Sequence, residues 1–354
     1  MENLDLKQLV IGKYDYANLK GVESFLSKQE LNLDSSVEYI TALKDEKGIA
    51  AVGAFDGKVL KCIAVDDKYK GMGLSNKIVS NLVNEEYARG NTDLFIFTKP
   101  KNYKMFNSMG FYKIEEVKDS VILLENNPNG IKKHMEKLKT TKKEGKVISS
   151  IVVNCNPFTL GHKYLIEKAS AESDILHIFV VSEDKSIFPF DVRYYLVKEG
   201  TKHLKNVVLH EAGNYIISNA TFPTYFIKKK SERVKSQTIL DLNIFGKYIS
   251  GALGINRRFV GEELTDEVTQ VYNSTMKKLL PEFHIEVIEV PRLCIDNEVI
   301  TASKVRKLLI NGSILDIKKL VPDVTYKFLN SKQGKKIIKE MQDKSINQGG
   351  EKWI

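Results

Sequence analysis

Near the middle of the chain, Thr159-Leu160-Gly161-His162 places a hydroxyl, a residue with no side chain and an imidazole within four positions. They follow an apolar run, Ile151-Val152-Val153, and a turn-forming stretch, Asn154-Cys155-Asn156-Pro157-Phe158. A strand ending at Val153 and a helix starting near Gly161 would aim backbone N–H groups and the positive end of a helix dipole at one spot. Phosphate is the anion suited to such a spot. Gly161 lets the backbone come close. His162 can donate a hydrogen bond to an oxygen that gains charge during substitution at phosphorus, and Thr159 offers a hydroxyl to the same group. The same four residues also read as an ordinary capped helix whose histidine packs. Cys155 has the chemistry of a nucleophile, yet its place behind an apolar strand fits packing under the loop better.

A second constellation stands at Ile300-Thr301-Ala302-Ser303-Lys304-Val305-Arg306. Thr301 or Ser303 can cap a helix. Arg306 lies one turn beyond Ser303, so a hydroxyl and a guanidinium can share one phosphate. Arginine suits this better than lysine because its donors form a planar fork. An amphipathic helix with surface basic residues would show the same pattern. Between the two constellations, Phe259-Val260-Gly261-Glu262-Glu263 ends a strand candidate, where either carboxylate could face a ligand or water. A third constellation comes early: Lys70-Gly71-Met72-Gly73-Leu74 joins a strand to a helix, and its backbone N–H groups could cradle a pyrophosphate.

The elements that must position these residues fall into two sets. In the first, strands at 48–55 and 59–65 flank the turn signal Asp56-Gly57. A helical period runs over 74–87, and 94–98 reads as a buried strand. In the second, strand candidates at 147–153, 176–182, 207–210, 258–261 and 284–290 alternate with helix candidates at 161–172, 190–203, 223–230, 266–280 and 301–311. Such alternation predicts a doubly wound parallel sheet, whose ligands bind at the carboxyl ends of the strands. The whole is α/β: an α+β domain at 1–128, a lysine-rich linker at 129–146, a Rossmann-like domain at 147–345 ending in a basic helix near 333–344, and a frayed tail at 346–354.

At 354 residues, two domains are the first expectation. With 42% hydrophobic and 28% charged residues, disorder of the whole chain is excluded. No run approaches the roughly 20 apolar residues of a membrane span, and Met1–Asp5 lacks a secretory leader pattern. Three widely spaced cysteines, Cys62, Cys155 and Cys294, exclude a disulfide framework and a CxxC metal clamp. A cytoplasmic protein is expected. The net charge of +9 arises after residue 131, in the linker and the second half. It suits a phosphate-rich small molecule, or nucleic acid.

Thr159-Leu160-Gly161-His162 resembles the (H/T)xGH motif of the nucleotidyltransferase superfamily. Ile300–Arg306 resembles the ISSTxxR motif of the same superfamily, with Ala302 replacing one usual hydroxyl. The resemblance implies ATP contacts at Asn156, Pro157, Phe158, Thr159, Gly161, His162, Gly261, Glu262, Ser303 and Arg306. Thr159, His162 and Arg306 would be catalytic, and Mg²⁺ would bridge phosphate oxygens. No metal ligand is assigned to the protein itself.

The loop Lys70-Gly71-Met72-Gly73-Leu74, with Phe106-Asn107-Ser108-Met109-Gly110-Phe111 after it, resembles the acyl-CoA motifs of the GNAT acetyltransferase fold over about residues 1–125. Phe106 stands where that family often has a thiolate-protonating tyrosine, and Lys68 where Arg or Gln is usual. Binding of a CoA-like group without acetyl transfer is therefore expected.

A GNAT-like domain ahead of a nucleotidyltransferase domain, with the segment 213–226, is similar to the citrate lyase ligase family over nearly the whole chain. That resemblance implies ATP, acetate and the acyl carrier subunit of citrate lyase as substrates and partner. The reaction would pass through acetyl-adenylate to acetylate the thiol of a CoA-like prosthetic group, releasing AMP and pyrophosphate. The alternatives are an acetate ligase acting on RNA through Lys132–Lys146 and Lys228-Lys229-Lys230, another adenylyltransferase, and a non-enzymatic acyl-CoA sensor. Neither a membrane nor nucleic acid is expected as a partner.

Overall fold

The computed structural model describes residues 5–12, 14–33, 36–182, 186–218, 231–264, 266–296 and 298–347. They divide into two compact units. The first holds the residues up to His134 with those of 231–241; the second holds Met135–Ser218 and the residues from Leu242 on.

The first unit contains β1 (Lys7–Ile11), α1 (Tyr16–Lys28), β2 (Tyr39–Asp45), β3 (Gly48–Asp56), β4 (Val59–Val65), α2 (Leu74–Ala88), β5 (Phe95–Thr98), α3 (Tyr103–Asn107), β6 (Tyr112–Val117) and β7 (Val121–Glu125). The sheet order is β1-β2-β3-β4-β5-β7-β6. Asp56 pairs with Val59 across the expected tight turn, where Gly57 takes a φ of 52°. Only β4 and β5 run parallel, and they pair at just Val59↔Phe95 and Leu60↔Ile96 before diverging. Helices cover both faces: Ile78 and Leu82 of α2 pack on one, Val22 and Leu26 of α1 on the other. A Cβ at Gly53 would lie 2.3 Å from Ile78, so this glycine lets α2 rest directly on β3. This is the α+β architecture expected of the N-terminal half.

The stretch read as a linker begins as a helix, α4 (Gly130–Lys139). Ile131, Met135 and Leu138 are buried along one stripe while the lysines stay exposed.

The second unit contains β8 (Ile148–Val153), α5 (Leu160–Ala171), β9 (Ile175–Val180), α6 (Phe190–Thr201), β10 (Val207–Glu211) and, after α7 (Ser231–Ile244), a π-helical turn at Phe245–Ile249 and α8 (Ser250–Leu253). Then come β11 (Arg257–Gly261), α9 (Glu267–Leu279), β12 (Glu286–Val290), the short strands β13 (Cys294–Ile295) and β14 (Glu298–Val299), α10 (Ala302–Ile310), α11 (Ile314–Ile317), α12 (Asp323–Leu329) and α13 (Lys332–Asn347). The five-stranded sheet has the order β10-β9-β8-β11-β12 and is parallel throughout. The chain steps outward from β8 to β10, then returns to β11 on the other side of β8. That reversal opens a crevice at the carboxyl ends of β8 and β11. The doubly wound expectation holds, with element ends moved by one or two residues. The helix expected at 223–230, residues 219–226 of the segment 213–226, Lys228-Lys229-Lys230 and the tail from 348 on lie outside the described residues. No described helix is long and apolar enough to cross a membrane.

Candidate active site

The loop leaving β8 is fixed from below by a buried arginine. Arg193 of α6 has no exposed surface. Its Nη1 donates to the carbonyl of Asn154 (3.1 Å), to Oδ1 of Asn154 (2.9 Å) and to the carbonyl of Val181 (2.7 Å), and its Nε donates to the carbonyl of Phe188 (2.9 Å). One guanidinium thus ties the ends of β8 and β9 to the entry of α6. Asn156 Oδ1 adds a bond from the N–H of Phe188 at 3.0 Å. Across the loop, Thr325 donates to the carbonyl of Phe158 at 2.9 Å, and the N–H of Leu160 donates to Leu320 at 2.9 Å. Cys155 is fully buried, and burial pushes its thiol far up. It is a packing residue, as the bland reading had it.

Thr159 is the N-cap of α5. Its Oγ1 accepts from the N–H of His162 at 3.4 Å and lies 2.9 Å from His162 Nδ1. The N–H of Thr159 donates to the same Nδ1 at 3.1 Å. Because Nδ1 accepts, the proton of the neutral ring sits on Nε2. Burial first, then the charges of Arg292 and Arg306, lower the His162 pKa to about 4. The imidazole is therefore neutral near pH 7 and presents one N–H donor.

Two sequence expectations are corrected by this packing. Thr159 is 1% exposed and spends its hydroxyl on the cap and on His162. It positions the histidine. Phe158 has no exposed surface, and a Cβ at Gly200 would lie 2.3 Å from its ring. It is a core residue beneath His162, with the two rings 6.2 Å apart. Pro157 is likewise buried.

Gly161 carries a different approach from the one expected. A Cβ there would come 3.1 Å from the carbonyl of Ile300, so glycine lets the start of α5 abut the segment before α10. Thr301 caps α10, accepting from Lys304 at 3.0 Å. Arg306 donates from Nη1 to the carbonyl of Asn156 (2.7 Å) and from Nη2 to Ser303 Oγ (3.0 Å), while its buried Nε has no partner among the described residues. Asn156, His162, Ser303 and Arg306 are thus brought together from positions about 150 residues apart.

At the end of β11, the carbonyl of Gly261 accepts from Asn273 at 3.1 Å. The carbonyl of Glu262 accepts from Arg292 Nε at 2.7 Å, and the Glu263 carboxylate pairs with Arg292 Nη2. Glu263 is therefore engaged by protein. Arg193 and Arg292 escaped the sequence reading. Arg193 left a trace, since a charged residue stands on the apolar stripe of Val192, Leu196 and Val197. Arg292 left none beyond its place just after a strand.

In the first unit, Gly71 and Gly73 have φ of 81° and 75°. Gly73 starts α2 without a side-chain cap. Met72 is half exposed, Leu74 is buried, and Lys70 pairs with Asp67 at the surface. Phe106 is 3% exposed and packs in the core. Among the described residues, no group of three or more His, Cys, Asp or Glu could hold a metal.

Residues 148–329 match the family model described as the citrate lyase ligase C-terminal domain. The chain is 40% identical over 316 residues to the [citrate [pro-3S]-lyase] ligase of Escherichia coli, covering 88% of this chain and 90% of that protein. It is 38% identical over 314 residues to the protein of the same name from Haemophilus influenzae, covering 87% and 94%. A solved acyl-CoA N-acyltransferase from Pseudomonas aeruginosa matches 34% of this chain and 99% of its own, at 12% identity and a TM-score of 0.30. Sequence identity of this extent over nearly the full length of both chains places the protein in the citrate lyase ligase family.

Proposed function

We propose that this enzyme uses ATP to acetylate the thiol of a CoA-like prosthetic group on the acyl carrier subunit of citrate lyase. An acetate oxygen attacks the α-phosphorus, the bond to pyrophosphate breaks, and acetyl-adenylate forms. The thiol sulfur then attacks the acetyl carbon, its proton is lost to water, and AMP leaves. No nucleophile of the protein is needed, only positioning and charge stabilisation.

The observation that carries this reading is the neutral His162, whose proton sits on Nε2, beside Arg306, whose buried Nε has no partner among the described residues. An unpaired buried donor such as the Arg306 Nε is costly, and a phosphate oxygen would satisfy it. The donors gathered here are cationic and N–H groups, which fit phosphate. Mg²⁺ would enter bound to the nucleotide's own oxygens. Asn156, Gly161, Gly261, Glu262 and Ser303 would line the nucleotide. The glycine loop Lys70–Leu74 would dock the prosthetic group, with the buried Phe106 supplying no thiolate acid. The relatives' shared name favours this acceptor over RNA, over another adenylyltransferase reaction and over a non-enzymatic sensor. In an assay of pyrophosphate release, acetate with the thiol form of citrate lyase should support turnover and RNA should not. Turnover with RNA, or release independent of acetate, would overturn the proposal.

A further inference from the structure

We infer that Arg292 is a second anion-binding guanidinium of this site and takes the nucleotide's polyphosphate across from Arg306. The inference rests on the nucleotide reading above and assigns one more residue to it. Arg292 follows β12, beside the end of β11. Its Nε and Nη2 are held by the Glu262 carbonyl and the Glu263 carboxylate, and its other N–H groups bond to none of the described residues. The side chain is 24% exposed. It is thus fixed in direction yet keeps donors facing outward.

The pairing of β13 with β14 lies just beyond Arg292 in the chain. Cys294 pairs with Val299, Ile295 pairs with Glu298, and the N–H of Ile300 donates to Leu293 at 3.0 Å. The residue after Arg292 is thereby tied to the residue before Thr301, the N-cap of α10. Ile300 is also the residue against which Gly161 brings the start of α5. Two helix N-termini and two arginines converge around His162, which feels both charges. A triphosphate presents oxygens on adjacent phosphorus atoms, more than one fork of donors can cover.

The test measures binding of ATP alone and of inorganic pyrophosphate to the full chain by calorimetry, without acetate or carrier. Arg292→Ala should weaken both by roughly tenfold to a hundredfold. Arg292→Lys should fall between it and the wild type, and the KM for acetate should stay within about twofold. His162, followed by NMR titration, should move up from about 4 in Arg292→Ala. Unchanged ATP and pyrophosphate affinity, or a raised acetate KM with nucleotide binding intact, would overturn the inference. If Arg292→Ala does not fold, Arg292→Lys is the deciding variant, and wild-type affinity in a folded lysine variant with unmoved His162 would count against it. If the wild type binds ATP through Arg292 but releases no pyrophosphate with acetate, the proposed reaction fails and this inference stands.

Discussion

His162 Nδ1 lies 3.1 Å from the backbone nitrogen of Thr159, and that single bond decides which ring nitrogen meets the ligand. The protein-facing nitrogen accepts, so Nε2 donates. A threonine here does what a charged group could not: it caps α5 and orients the imidazole without adding charge.

Removing each partner separates orientation from chemistry. His162→Ala should cut kcat for pyrophosphate release by about 10² or more, the scale of a lost transition-state donor. Thr159→Ala should cost about 1 kcal/mol of stability as a lost N-cap, with a smaller fall in kcat, because the backbone bond to Nδ1 survives. Thr159→Ser should restore both. Equal kcat in His162→Ala and the wild type would remove His162 from the mechanism.

The titration of His162 sets a pH window. Its pKa is about 4 in the folded protein against an ordinary 6.5. His177, buried with Nδ1 2.8 Å from His210 Nε2, is lowered to about 4 by burial as well. A lowered folded pKa means the unfolded chain takes up protons first as the pH falls. The contribution to stability is complete above about 6.5 and drains away between 6.5 and 4. Thermal melts across that range should show falling stability, with a shallower slope in His162→Asn. Neutral His162 also predicts no loss of kcat from its protonation between about pH 6 and 8.

Arg193 and Cys155 make opposite predictions from neighbouring positions. Arg193→Met removes every anchor of the guanidinium from buried carbonyls, and such losses typically cost 3 to 5 kcal/mol when a buried network is broken. Melting temperature and kcat should fall together. Cys155→Ser should retain most activity, since the thiol is buried, held far above its usual pKa and remote from any role as nucleophile. Inactivation of a well-folded Cys155→Ser would reverse that assignment.

Gly73 tests the dock proposed for the carrier's prosthetic group. At a φ of 75° it tolerates aspartate better than most residues, and aspartate is also a good N-cap. Gly73→Asp should keep α2 intact while setting a carboxylate against an incoming pyrophosphate. The KM for the carrier subunit should rise several-fold, and acetate-dependent pyrophosphate release without carrier should not change. A carrier KM equal to wild type would remove the loop from the acceptor site.

Periodicity and motif spacing made much of this legible. The alternation of apolar strands and helices determined the parallel sheet, because each strand buried on both faces must be uniformly apolar. The Asp56-Gly57 turn determined the β3–β4 hairpin, because few residues other than glycine adopt the required φ. The two phosphate-suited constellations were readable because capping and forked donors need particular residue types at particular short spacings. Their meeting was not readable. Only packing brought Arg306 to Asn156, and only the pairing of β13 with β14 tied Leu293, next to Arg292, to Ile300. Packing also buried Phe158 and engaged the Thr159 hydroxyl with His162, since local sequence says which groups a loop holds but burial decides how each is used.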